Sequence, residues 1–252
     1  MDMNPSSDSS STRGVNITPE ALRGAAREGH AVIVELLFRT GGNINDNREG
    51  SASTPLIIAS QQGHVDVVDC LLSLGADIEL RDPVGRTALM WAGMCGKIDV
   101  VDRLLAAGCN VNAQDDFNET AMMLAAQGGR VPIIDRLVVH GADFNRQSKR
   151  GHNALIFATM SRHIEAVDRL LSLGCDVNAQ DYEGKTALIM VCQKGNTRIA
   201  RLLLDHGADP LLQDKAGKRA IDPAESSPEI QTLLNGLSSS PFIITTIMSH
   251  ET

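Results

Sequence analysis

The stretch TALMWAGMCGKIDVVDRLLAAGCNVNAQD, residues 87–115, decides the fold. Thr87 can cap a helix, its hydroxyl accepting one of the free N–H groups, and Ala88 to Cys95 follow as a short Ala/Met-rich helix that Gly96 closes. Ile98, Val101, Leu104 and Leu105 then recur on one face of a second helix. Gly108 supplies the left-handed residue that stops it, and the Asn/Asp-rich CNVNAQD suits an extended turn. The stretch therefore reads as an antiparallel helix pair followed by a projecting loop.

The same pattern recurs along the chain. Glycines that end an apolar helical run fall at Gly41, Gly75, Gly108, Gly141, Gly174 and Gly207, first 34 and then 33 residues apart at every step. A second series, Thr54, Thr87, Thr120, Asn153 and Thr186, advances by 33 throughout. Two independent markers in one register establish an internal repeat. One helix pair cannot cover its own apolar faces, so the units must stack into a solenoid with a continuous core. The extra residue between Gly41 and Gly75 is expected in the loop NDNREGSAS, residues 45–53, because loops accept insertions at little cost.

These units resemble the ankyrin repeat. Its T-P-L-H-x-A signature is matched by TPLIIA (54–59), TALMWA (87–92), TAMMLA (120–125), NALIFA (153–158) and TALIMV (186–191), and its G-A-D-x-N pattern by GADIE, GCNVN, GADFN, GCDVN and GADPL. The resemblance covers residues 17–236 and implies an all-α solenoid of seven units: 17–48, 49–81, 82–114, 115–147, 148–180, 181–213 and 214–236. The first and last are the irregular end units that must face water. The signature His is replaced by Ile57, Met90, Met123, Ile156 and Ile189, so packing has to replace its hydrogen bonds and the loops are expected to be less ordered. In the fifth unit Arg162 stands where other units have Gly63, Gly96, Gly129 and Gly195, in a turn where a side chain costs about 1 kcal/mol.

Composition narrows the function. Only 3% of the 252 residues are aromatic, so the core is aliphatic, and a net charge of −8 gives no overall attraction to nucleic acid or anionic membrane. No apolar run approaches a signal peptide's core or the ~18 residues of a membrane span. Five cysteines without a C-x-x-C pair suit reduced thiols, so the expected setting is the cytoplasm or nucleus. Cys109 and Cys175, two units apart at ~10 Å per layer, are too distant to pair. No nucleophile elbow, phosphate-binding loop or H-E-x-x-H occurs, and His30, His64, His163, His140 and His206 repeat with the units, which marks them as structural. The expectation is a protein that is not an enzyme and has no metal, cofactor or nucleic-acid ligand.

Binding remains. The resemblance implies a concave groove built from loop tips and the outer face of the first helices, binding another protein while the chain itself is monomeric. Carried over by register, the groove residues are Arg86, Met94, Cys95, Phe117, Glu119, Lys149, Arg150, His152, Met160, Tyr182 and Lys185. Phe117 and Tyr182 are the expected anchors, since exposed aromatics and arginines dominate binding energy. Arg146, Lys149, Arg150, His152, Arg162 and His163 read as a basic patch for an acidic partner segment. Met90 and Trp91 align with core positions, whereas Met94 and Cys95 align with groove positions, which divides what first looks like a soft-metal cluster. The family also implies Asn145 and Asn178 as candidate hydroxylation sites. The functional expectation is an adaptor, scaffold or inhibitor. A host-targeting effector or a substrate-presenting subunit of an enzyme would use the same groove. Residues 1–16 form a Ser-rich tail expected to be disordered, and 237–252 carry FIITTIM, a β-prone segment expected either to dock on the last repeat or to act as a ligand.

Overall fold

The computed structural model describes residues 18–47, 53–220, 222 and 228–238; the Ser-rich tail, the FIITTIM segment and most of the insertion loop lie outside them. The described residues form thirteen helices and no strand. In chain order they are α1 (Pro19–Glu28), α2 (Ala31–Arg39), α3 (Pro55–Gln62), α4 (Val65–Ser73), α5 (Ala88–Cys95), α6 (Ile98–Ala106), α7 (Ala121–Gln127), α8 (Val131–Val139), α9 (Ala154–Met160), α10 (Ile164–Ser172), α11 (Ala187–Lys194), α12 (Thr197–Asp205) and α13 (Pro228–Ser238). The odd-numbered helices α1 to α11 stack as one layer, and α2 to α12 stack behind them as a second, continued by α13.

Local sequence accounts for most starts of the first helices and for the ends of the pairs. Thr54, Thr120, Asn153 and Thr186 accept a hydrogen bond from the N–H three residues on, at 3.0 to 3.4 Å. Thr87, the residue from which the cap was inferred, is buried and makes no such bond, and nothing in its surroundings explains the difference. At the other ends of the pairs, Gly75, Gly108, Gly141, Gly174 and Gly207 have φ of 81 to 84°, the left-handed conformation that releases the chain into the next loop.

The core is aliphatic and periodic. Leu71, Leu104, Leu137, Leu170 and Leu203 stand one repeat apart, and each is 0% exposed. Ala59, Ala92, Ala125 and Ala158, also fully buried, keep the first-helix layer closely packed. Truncating one of the leucines to alanine removes contacts with both neighbouring layers and costs about 2 to 5 kcal/mol. On the second helices, Arg103 pairs with Asp69 at 3.6 Å, Arg136 with Asp102 at 3.1 Å and Arg169 with Asp135 at 2.6 Å, a staircase in which each acid holds the base of the following unit. These pairs are roughly half exposed, so each contributes about 0 to 1 kcal/mol.

Arg162 adopts φ of +62° in the turn between α9 and α10, where the other units place glycine. Its guanidinium gains only an exposed 3.4 Å hydrogen bond to the Lys194 carbonyl. Arg162→Gly is therefore expected to stabilise the chain by about 0.5 to 1 kcal/mol. A urea midpoint that stays the same or falls would show that the left-handed turn carries no strain at this position.

Candidate partner-binding groove

Four of the projecting loops are each built on one carboxylate. Asp82 Oδ1 accepts the N–H groups of Val84 and Arg86 at 3.0 and 2.8 Å, Asp115 those of Phe117 and Glu119, Asp181 those of Glu183 and Lys185, and Asp214 those of Ala216 and Lys218. These acids are buried at the loop bases. Each of these carboxylates thus organises its own loop base. The tips are joined as well: Asp116 N–H donates to the Val84 carbonyl, Lys149 to Phe117, Tyr182 to Arg150 and Lys215 to Glu183, at 2.8 to 3.1 Å. One backbone bond per step turns separate loops into a continuous rail. At Gly151 the approach is so close that an added Cβ would lie 2.5 Å from the Tyr182 nitrogen.

The loop-base acids belong to the 33-residue register, five residues ahead of each helix cap, and sequence reasoning passed over them. The fifth unit breaks the series with Ser148, whose hydroxyl accepts the same two N–H groups at 3.3 Å. Arg86, Glu119, His152 and Lys185 are equivalent positions, and two of them reach the loop base of the following unit. Arg86 donates to Asp115 at 3.2 Å, and His152 sits 3.5 Å from Asp181. Glu119, the one acid in the series, lines the same hollow as Ser148, and by register an aspartate at 148 would bring two carboxylates together.

The groove residues expected from sequence divide into two groups. Arg86 is largely enclosed: it also donates to Glu119 at 3.2 Å, approaches the Met94 sulfur at 3.8 Å and lies 5.4 Å over the Trp91 ring. Trp91 is half-buried and donates its indole N–H to Asp82 at 2.8 Å, so it braces a loop in addition to packing between repeats. Met94 and Cys95 are half-buried beside this cluster. Burial, reinforced by the Asp115 charge, pushes the Glu119 carboxyl above its usual range, and Arg86 opposes the shift.

Further along, two adjoining hollows of about 440 and 420 Å³ share Lys149, Arg150, His152 and Met160. Phe117 and Glu119 line the first, Tyr182 and Lys185 the second. Phe117 is 51% and Tyr182 57% exposed. His152, assigned by sequence to a cationic tip, is instead buried, with its ring edge-on to Phe157 at 5.7 Å. Burial lowers its pKa, while Asp181 pulls the other way. The basic patch is correspondingly smaller: Arg146 lies 3.8 Å from Asp143, and the His163 ring packs against Gly129, which leaves Lys149 and Arg150 as its exposed cations in the hollows.

Asn145 and Asn178 sit where a pair ends and the next loop begins. Their side-chain oxygens accept the N–H groups of Asp176 and Asp209 at 3.2 and 2.8 Å, tying neighbouring units together. Among the described residues no cluster of His, Cys, Asp or Glu has the arrangement of a metal site, and no helix is long and apolar enough to cross a membrane. Burial pushes the thiols of Cys109 and Cys175 up to about 12 and that of Cys192 to about 11, which suits inert packing groups.

Two outcomes test the loop chemistry. In a double-mutant cycle of Ser148→Asp with Glu119→Arg, the two changes should favour each other by about 1 kcal/mol or more, because Arg at 119 would meet Asp at 148 as Arg86 meets Asp115. Purely additive urea stabilities would reject the pairing. His152 should titrate below 6.5, and Asp181→Asn should lower its pKa further, read from the imidazole proton resonances. Since the folded pKa lies below the unfolded one, the stability His152 contributes is complete above the unfolded value and is lost as pH falls through the folded value.

Comparison with known proteins agrees with this architecture. The family model for ankyrin repeats matches three times, at residues 22–115, 96–181 and 122–214. The ankyrin repeat domain of human ASB11 superposes with a TM-score of 0.75 at 25% identity, covering 85% of this chain and 96% of that domain. The ankyrin repeat domain of Bcl-3, described as a unique member of the IkappaB protein family, gives 0.74 at 27% identity, with coverage of 86% and 97%. A probable E3 ubiquitin-protein ligase of rice (Oryza sativa subsp. japonica), XBOS33, is 36% identical over 77 residues, which is 30% of this chain and 15% of the ligase. With matched segments that together run from residue 22 to 214 over stacked helix pairs and joined loop tips, the chain belongs to the ankyrin-repeat family.

Proposed function

We propose that this protein is a non-enzymatic adaptor or inhibitor that captures a partner protein in the concave groove between its loop rail and its first helices. Ankyrin repeats are generally protein–protein interaction modules, which supports the class of function. The observation that carries the assignment to this surface is the pair of adjoining hollows, with Phe117 and Tyr182 standing half exposed at their two sides and Met160 common to both. Aromatic side chains held on a preformed, hydrogen-bonded rail lose little entropy on binding, so their area converts efficiently into affinity. The five cysteines are free, which suits a reducing compartment such as cytoplasm or nucleus, and the protein acts there as a monomer.

A second reading, a substrate-presenting part of an enzyme assembly, takes its support from the rice ligase. That relative shares only a short segment with this chain, and the reading uses the same groove. It predicts that a captured partner arrives together with a catalytic subunit.

The test is affinity capture with the wild type and with a Phe117→Ala, Tyr182→Ala double variant. Both side chains are largely solvent-facing, so the double variant should keep its helical signal and urea midpoint. Partner recovery should fall by about tenfold or more. A partner set unaffected by the substitutions would place the binding surface elsewhere.

A further inference from the structure

The groove is positive inside a negative protein. The chain carries a net charge of −8, yet the acids that line the hollows are already engaged. Glu119 is held by Arg86 at 3.2 Å, and Glu183 by Lys185 at 2.7 Å. Asp181 and Asp214 are buried under their loops, where each accepts two backbone N–H groups. Apart from Arg86 and Lys185, the cations along the same strip are not engaged. Among the described residues, Lys149, Arg150, Lys194, Lys215 and Lys218 are exposed and have no ion-pair partner. Lys149, Arg150 and Lys194 line the central hollow, and Lys215 and Lys218 line the adjoining one, which shares Tyr182, Lys185 and Gln193 with it. Exposed Asp116, beside Phe117, marks where the strip ends.

Resting on the groove reading above, we propose that the occupant is an extended acidic peptide segment of the partner, with an apolar residue seated over Met160 and carboxylates on either side facing Lys149 and Arg150, then Lys194 and Lys218. The dimensions agree. Four loop tips, from Phe117 to Lys218, at ~10 Å per layer span ~30 Å, which an extended chain covers in about nine residues at ~3.3 Å each. Phe117 and Tyr182 stand two steps apart within that span and give the segment two apolar contacts. Free cations around an apolar floor favour carboxylates through charge-assisted hydrogen bonds and speed their arrival. A polyanion such as single-stranded nucleic acid fits less well. Its evenly spaced phosphates would lie over Asp116 and Glu183, and Phe157, Met160 and Met190 in the floor have no use for them.

The experiment is selection of a random peptide display library against the full chain at low salt, followed by synthesis of the enriched peptides and titration by fluorescence anisotropy. The expected result is enrichment of Asp and Glu around a large apolar residue. Affinity should weaken several-fold between about 50 and 500 mM salt. It should also fall by about tenfold or more in Lys149→Glu, Arg150→Glu. If that variant loses its helical signal, Lys194→Glu, Lys218→Glu replaces it, with the same expected loss. Enriched peptides that are neutral or basic, affinities insensitive to both charge reversals, or no enrichment at all would overturn the proposal. So would a single-stranded oligonucleotide that binds more tightly than any peptide and is lost in the same variants. Neutral peptides displaced by Phe117→Ala, Tyr182→Ala would reject the acidic ligand while sustaining the groove. Acidic peptides unaffected by every substitution would reject the groove itself.

Discussion

Stability here lives between units rather than within them. An eight- or nine-residue helix pair has too little surface to enclose a core of its own, and isolated helices of that length are marginal in water. The buried series through Leu71, Leu104, Leu137, Leu170 and Leu203 is formed only when one layer lies on the next. The same dependence recurs in polar form. Asn145 and Asn178 reach forward to the next backbone, and the staircase acids hold the next unit's arginine. The chain is a one-dimensional array in which each interface is short-range and the sum is cooperative.

That arrangement leaves the loop side outside the core packing. The loop bases fasten their tips with buried carboxylates and join them with a single backbone bond per step, so the tip side chains carry no folding duty. Phe117, Lys149, Arg150 and Tyr182 are held in place by their neighbours' main chain while facing water. Towards the N-terminal end the position of Glu119, His152 and Lys185 is filled by Arg86. Arg86 ties Trp91, Met94, Asp115 and Glu119 into one cluster, so the open part of the groove lies over the fourth to sixth helix pairs.

Much of this was legible in the sequence because repetition averages out local ambiguity. The glycine and threonine registers located the helix pairs, and Arg162 was identified as a side chain in a left-handed turn before any coordinates. What the sequence hid was pairwise. Nothing local announces that His152 folds inward onto Phe157 and Asp181, since burial depends on a unit 29 residues away. Trp91 aligned with core residues, and only the position of Asp82 reveals why its indole turns toward the loop.

The staircase of Asp69, Asp102 and Asp135 with Arg103, Arg136 and Arg169 bears on how such a chain can change over generations. Each unit from the second to the fourth offers one acid to the arginine of its successor, so duplication or loss of a whole unit within that stretch leaves no unmatched charge in the ladder. Partial duplications break the ladder at their seam. The genetic currency of this fold is therefore the complete unit, and groove length can lengthen or shorten by whole tips without redesigning the surface behind them.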